Sequence, residues 1–244
     1  MAGAFLRARA LSKSFRGLRA VSDVSFDVPA GAIHALIGPN GAGKTTTFNI
    51  VAGVFAPDAG GVTLDGVELV GKRPEDICRA GVGRTFQIVK PFRGMSVQEN
   101  VAVGALRWTS NTREARDYAA DTLALLGLAD KRAMSPDHIT LPDRKRLEVA
   151  RALATKPRLL LLDEVMAGLR PTETDAMVAT FQKLNADTGV TILLIEHVMR
   201  AVMALSQRVV VLNHGEKICE GAPADVVRDP AVLECYLGEP APHA

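Results

Sequence analysis

The sequence predicts an α/β fold: a parallel sheet buried on both faces, an antiparallel β subdomain at the N-terminal side, and a helical subdomain inserted at about residues 88–150. Three observations predict it. Val24, Phe26 and Val28 alternate with polar residues, as in a strand with one solvated face. From Arg144 onward, short unbroken apolar runs at 159–162, 190–195 and 209–212 alternate with helical stretches, as strands covered on both faces do. Between these halves, residues 96–126 carry helix spacing and capping signals.

Taken in order, residues 5–10 read as a first strand followed by a basic loop. Arg7, Arg9, Lys13, Arg16 and Arg19 precede the first acid, Asp23, but the pattern runs on into strand 24–28, unlike a targeting segment. Residues 33–37 form a short buried strand, and 62–69 hold Asp65-Gly66 at a hairpin turn. A strand-like run at 82–86 ends at Gln87. Ser96 and Glu99 form a capping box ahead of Val101, Val103 and Leu106, and a second helix covers about 112–126 with a stop at Gly127. With 244 residues and 48% apolar composition, one domain over 1–244 is expected.

Composition excludes several classes. The 29 basic and 27 acidic side chains leave a net charge of +2, too little for a nucleic-acid track, so no nucleic-acid partner is expected. Cys78, Cys219 and Cys235 are odd in number and far apart, which argues against a disulfide framework or a zinc site. No apolar run approaches the roughly 20 residues that span a bilayer.

The chemistry is concentrated in two places. Gly38-Pro39-Asn40-Gly41-Ala42-Gly43-Lys44-Thr45 fits G-x-x-x-x-G-K-[ST] between a buried strand and a helix beginning near Lys44. Glycines let successive main-chain N–H groups curl around a phosphate, and the helix start adds partial positive charge. Lys44 supplies a cation to the β- and γ-phosphates, and the Thr45 hydroxyl is a hard oxygen ligand for Mg2+.

The second place is the run 159–162 followed by Asp163-Glu164, at the end of a buried strand where α/β folds place ligands. Asp163 would hold Mg2+ through water, and Glu164 would orient or deprotonate the attacking water. Gln87 could reach both metal and water; His197, following the run 190–195 and Glu196, could contact the γ-phosphate. One such glutamine or histidine is ordinarily structural. Four groups, each just past an apolar strand and beside a phosphate loop, point to a P-loop NTPase.

The arrangement resembles an ABC-type ATPase subunit over essentially the whole chain. Residues 38–45 match Walker A, Gln87 the Q-loop, 159–164 Walker B, Ala167-Gly168-Leu169 the D-loop and His197 the switch histidine. The resemblance implies a RecA-like core with an antiparallel β subdomain and a helical subdomain. It also implies that ATP is bound by Gly38, Asn40, Gly41, Gly43, Lys44, Thr45 and Thr46, with Mg2+ at Thr45, Gln87 and Asp163. Glu164, His197 and Gln87 take the catalytic roles. Phe15 sits where the family keeps an aromatic on adenine, with core packing as its other reading.

A closer resemblance is to the ATP-binding subunits of branched-chain amino-acid-type importers. It rests on Gly83-Arg84-Thr85-Phe86-Gln87, Phe92-Arg93, Glu99-Asn100-Val101, Leu194-Ile195-Glu196-His197 and Tyr236-Leu237-Gly238. Lipid-exporting relatives share the length and layout, and a clamp that binds ATP with little hydrolysis is a further alternative. The resemblance implies integral membrane permease subunits, a second ATP-binding subunit, an indirect solute-binding protein, and a peripheral place on the cytoplasmic face of the inner membrane.

One departure stands out. Where the family has Leu-Ser-Gly-Gly-Gln, this chain has Ile139-Thr140-Leu141-Pro142-Asp143. Thr140 keeps a capping hydroxyl, and a proline is tolerated in a first helical turn. Pro142 offers no N–H to a phosphate, however, and Asp143 is expected to bring negative charge near one. A heterodimer whose other subunit has an intact signature, or a homodimer with a tolerated variant, would each fit.

Overall fold

The computed structural model describes residue 3, residues 5–86 and residues 90–237. Gln87, expected to reach metal and water, and Gly238 lie outside the described residues.

The chain opens with β1 (Leu6–Phe15) and β2 (Leu18–Val28), joined by a tight turn in which Arg16 and Gly17 both have positive φ, 48° and 87°. This geometry suits the twist of a hairpin. The first strand therefore runs five residues beyond Ala10, where a basic loop was expected. Two features carry it past Ala10. Ala10 adopts φ 49° at a register shift, and its N–H is taken by the Ser25 hydroxyl at 2.7 Å. The neighbouring strand and loop supply the missing acids, with Arg9 on Asp27 and Lys13 on Asp58, each at 2.7 Å. With β4 (Ala59–Leu64) and β5 (Val67–Glu68) these strands form a four-stranded antiparallel sheet in the order β2-β1-β4-β5. The Asp65-Gly66 turn lies between β4 and β5, as predicted.

Behind it lies a six-stranded sheet among the described residues, ordered β10-β9-β3-β8-β7-β6. It is built from β3 (Ile33–Ile37), β6 (Val82–Arg84), β7 (Leu159–Asp163), β8 (Thr191–Ile195), β9 (Arg208–Asn213) and β10 (Glu216–Gly221). Only β10 pairs antiparallel, on the edge beside β9. Strand alternation splits each central strand between two cores. Leu159 and Leu161 pack with the front sheet and with helix α1 (Lys44–Val51), whereas Leu160 and Leu162 pack with the helices behind. The continuous apolar runs of the sequence have this two-sided burial as their cause.

A short helix, α2 (Pro74–Arg79), precedes β6. The helical portion then comprises α3 (Val97–Ala105), α4 (Thr112–Leu125) and α5 (Leu141–Leu153). The Ser96–Glu99 capping box forms at α3, and Asn111 caps α4 through N–H groups of Arg113 and Glu114. Helices α6 (Pro171–Thr188), α7 (Met199–Leu205), α8 (Pro223–Val226) and α9 (Pro230–Leu237) complete the described chain.

Candidate active site

The loop 38–43 joins the end of β3 to the start of α1 and is shaped by close main-chain approaches. A Cβ at Gly38 would run into the carbonyl oxygen of Leu212, and one at Gly43 would lie 2.5 Å from that of Ala20. Both glycines have positive φ, 147° and 97°. No other residue type fits these two places without moving neighbouring main chain. Asn40 and Thr45 are exposed, Thr46 is half-buried, and Lys44 is buried. The Lys44 ammonium donates to the carbonyls of Gly38 at 2.7 Å and Pro39 at 2.8 Å. Burial pushes this ammonium's pKa down, against the pull of Glu164 and Asp163.

The carboxylates lie at the ends of adjacent strands. Asp163 ends β7, almost wholly buried; its N–H donates to the Thr85 hydroxyl at 3.0 Å and its carboxylate pairs with Arg84 at 3.3 Å. Arg84, on neighbouring β6, also donates to Asn49 of α1 at 2.6 Å. Burial raises the Asp163 carboxyl, and Arg84 opposes that shift. Glu164 leaves the sheet with φ 50°, while its N–H still donates to the Ile195 carbonyl of β8 at 2.9 Å. Its Oε1 lies 2.7 Å from Nε2 of His197, just past the end of β8. Glu196, the residue before His197 and 1% exposed, accepts the Met166 N–H at 2.8 Å; burial pushes its carboxyl up to about 7.

Lys44, Asp163, Glu164 and His197 are thus gathered by the ends of three strands, with Lys44 more than a hundred residues from the other three in sequence. Thr45 and Asp163 line one cleft of about 510 Å3, with Asn49 and Arg84 on its wall. A hydroxyl and a carboxylate are the hard oxygen donors that Mg2+ takes, so these residues fit that ion. Phe15 is not a core residue. It is 38% exposed at the tip of the β1–β2 hairpin, edge-on to Phe55 at 5.1 Å.

Thr140 does cap α5, but Asp143 differs from expectation. Its side chain folds inward, 3% exposed, where it accepts from the Thr140 hydroxyl and pairs with Lys131 at 2.7 Å and Arg146 at 3.5 Å. Burial alone would raise its carboxyl; Lys131, Thr140 and Arg146 together hold it below the usual carboxylate range. Asp143 therefore braces the hydroxyl of the Thr140 cap from inside rather than presenting charge outward. Sequence reasoning gave no role to Arg84, Asn49, Lys145 or Glu196. Their only signal is polar character next to apolar runs, and their partners are distant in sequence.

Comparison with known proteins matches residues 21–167 to the ABC transporter family. The chain belongs to that family. As an ABC transporter ATP-binding protein it binds nucleotide and is an ATPase coupled to transport. Residues 216–242 also match a model described as branched-chain amino acid ATP-binding cassette transporter. This ABC chain is 39% identical to the high-affinity branched-chain amino acid transport ATP-binding protein BraF of Pseudomonas aeruginosa, over 98% of the chain and 100% of BraF. It is 34% identical to the lipopolysaccharide export ATP-binding protein LptB of Escherichia coli, over 97% and 98%. Among solved structures, the ADP conformation of the ATP-binding cassette MJ1267 superposes with TM-score 0.88 at 29% identity, over 97% of this chain and 99% of that one. The family and the fold class expected from the motifs are those found.

Proposed function

We propose that the chain is the ATP-hydrolysing motor subunit of an importer for branched-chain amino acids or a related small polar solute. The C-terminal match at 216–242 carries the choice, because it adds a transporter-class signal outside the ATPase residues shared with lipid exporters. In this reading the loop 38–45 cradles the phosphates of ATP, and Lys44 supplies the cation. Thr45 and Asp163 would hold Mg2+, with Gln87, and the ion would neutralise charge on the phosphates. Glu164 accepts the proton of the attacking water, and the His197 contact at 2.7 Å keeps its carboxylate aimed.

Two such subunits would enclose ATP between them, and closure would drive permease subunits docked on the helical portion. The equilibrium moves because ATP favours the closed pair. The chain would sit peripherally on the cytoplasmic face of the inner membrane, with a solute-binding protein acting through the permease. Among the described residues, no helix is long and apolar enough to cross a membrane.

The test is uptake of labelled leucine by proteoliposomes holding the chain with its permease. ATP-driven uptake that disappears in Glu164→Gln, with ATP binding kept and hydrolysis slowed at least about 10²-fold, is the expected result. Hydrolysis stimulated by glycolipid, without uptake of any branched-chain amino acid, would favour the export reading.

Pro142 supports a further reading, a heterodimer in which the site on this chain's Walker residues is the faster one. The partner's phosphates would face the 139–143 segment, which lacks one main-chain donor at Pro142. Losing such a donor costs on the order of 10²–10³ in rate. ATPase should rise on mixing this chain with a partner bearing the Leu-Ser-Gly-Gly-Gln signature, and Pro142→Gly should raise the activity of this chain alone. Full activity alone, unchanged by the glycine, would exclude the asymmetry.

A further inference from the structure

Behind Glu164 lies a buried cation that the chemistry so far leaves without a task. Lys145, one turn into α5, is 6% exposed, and its ammonium donates to the main-chain carbonyl of Glu164 at 3.1 Å. The same carbonyl closes the turn 164–167 by accepting the Ala167 N–H at 3.2 Å. The side chain also lies within electrostatic reach of Asp163, Glu148 and Glu196. Glu164 itself is held at φ 50°, a left-handed conformation that a non-glycine residue keeps only when its surroundings over-determine it. The surroundings are identifiable: Ile195 holds the N–H, His197 meets the carboxylate, and Lys145 and Ala167 hold the carbonyl.

We propose that Lys145 is a positioning residue for hydrolysis, fixing the main chain of Glu164 so that its carboxylate stays aimed at the attacking water. The proposal rests on the reading of Glu164 as the water-handling residue. It deepens that reading by tying Glu164 to α5, the helix that starts within the 139–143 segment. The Lys145 bond therefore makes the aim of Glu164 depend on where α5 stands. Whatever moves that helix relative to β7 also moves the carbonyl on which Glu164 pivots. A misplacement of about an ångström at a reacting group is enough to cost up to about 10²-fold in turnover without weakening substrate binding.

The experiment compares wild type with Lys145→Met, which removes the donor and the charge, and Lys145→Gln, which keeps a donor without the charge. Each is measured in the assembled transporter for steady-state ATPase, for binding of a fluorescent ATP analogue, and for thermal unfolding. The expected result is a kcat at least about 10-fold lower for the methionine variant, with KM and analogue affinity within about twofold of wild type. The glutamine variant, a shorter donor without the charge, should recover at least about threefold over methionine and still stay at least about twofold below wild type. A methionine variant at wild-type turnover, a KM that rises as far as kcat falls, or a glutamine no better than methionine would each overturn the proposal. If the methionine variant does not fold, the glutamine variant decides alone: normal turnover, or failure to fold as well, overturns the proposal. Full hydrolysis by Glu164→Gln would instead remove the reading of Glu164, whatever Lys145 does.

Discussion

Glu196 sets the terms at the scale of single residues. It is enclosed by the Met166 N–H, the Glu164 carboxylate and the Lys145 ammonium, and burial is the largest cause of its rise from 4.5 to about 7. The sign follows from linkage. The folded carboxyl binds its proton more tightly than the unfolded one, so this group's contribution to stability is fully present below about pH 4.5 and declines as pH rises toward 7. The decline is on the order of 3 kcal/mol, with no further loss from this group above that range. Glu196→Gln should flatten the dependence, read as urea midpoints between pH 5 and pH 8 at about half-unit steps; equal slopes in wild type and variant would contradict it. The residues proposed to face phosphate were legible as candidates without coordinates, because Lys44, Thr45, Asp163 and Glu164 sit in fixed spacing behind apolar runs. Glu196 was visible only as a letter beside His197. What gives it character is enclosure by residues 30 or more positions away, and a linear pattern does not encode that.

Helix α5 shows which element features a sequence carries. Its cap at Thr140 is local and was predicted, as was the Ser96–Glu99 box of α3, since both depend on residues three apart. The inward fold of Asp143 was not predicted, because Lys131 lies outside the helix on a separate turn. Thr140→Ala should cost about 1 kcal/mol. Asp143→Ala should cost more, about 3–5 kcal/mol, because it strands Lys131 and Arg146 partly buried without their acid. Thermal unfolding of both variants measures the ratio, and equal losses would mean that Asp143 serves only to hold the Thr140 cap in place. The length of β1 was missed for a related reason. Its continuation past Ala10 depends on the Ser25 hydroxyl and on acids from β2 and the loop before β4, all of them tertiary partners. Likewise Arg84 joins Asp163 and Asn49 across three elements, so its place on the wall of the cleft lined by Thr45 and Asp163 could not be read from the strand it belongs to.

At the scale of the whole molecule, layer order was legible and layer contact was not. The apolar runs announced a sheet covered twice, and the parallel pairing of β6, β7, β8 and β3 bears that out. The pairing also means that β7, which carries Asp163 and leads into Glu164, is held between two separate cores, with Leu159 and Leu161 on one side and Leu160 and Leu162 on the other. A strand clamped in this way has no independent route to opening. Its amide protons should exchange with deuterium only when both halves of the molecule come apart together, at a rate set by global unfolding and indifferent to added nucleotide beyond the stabilisation that binding itself confers. Asp163 would then be carried, with β3 and β8, on a slab that breathes only with the whole molecule, so the opening and closing of a transport cycle would bend around it rather than through it.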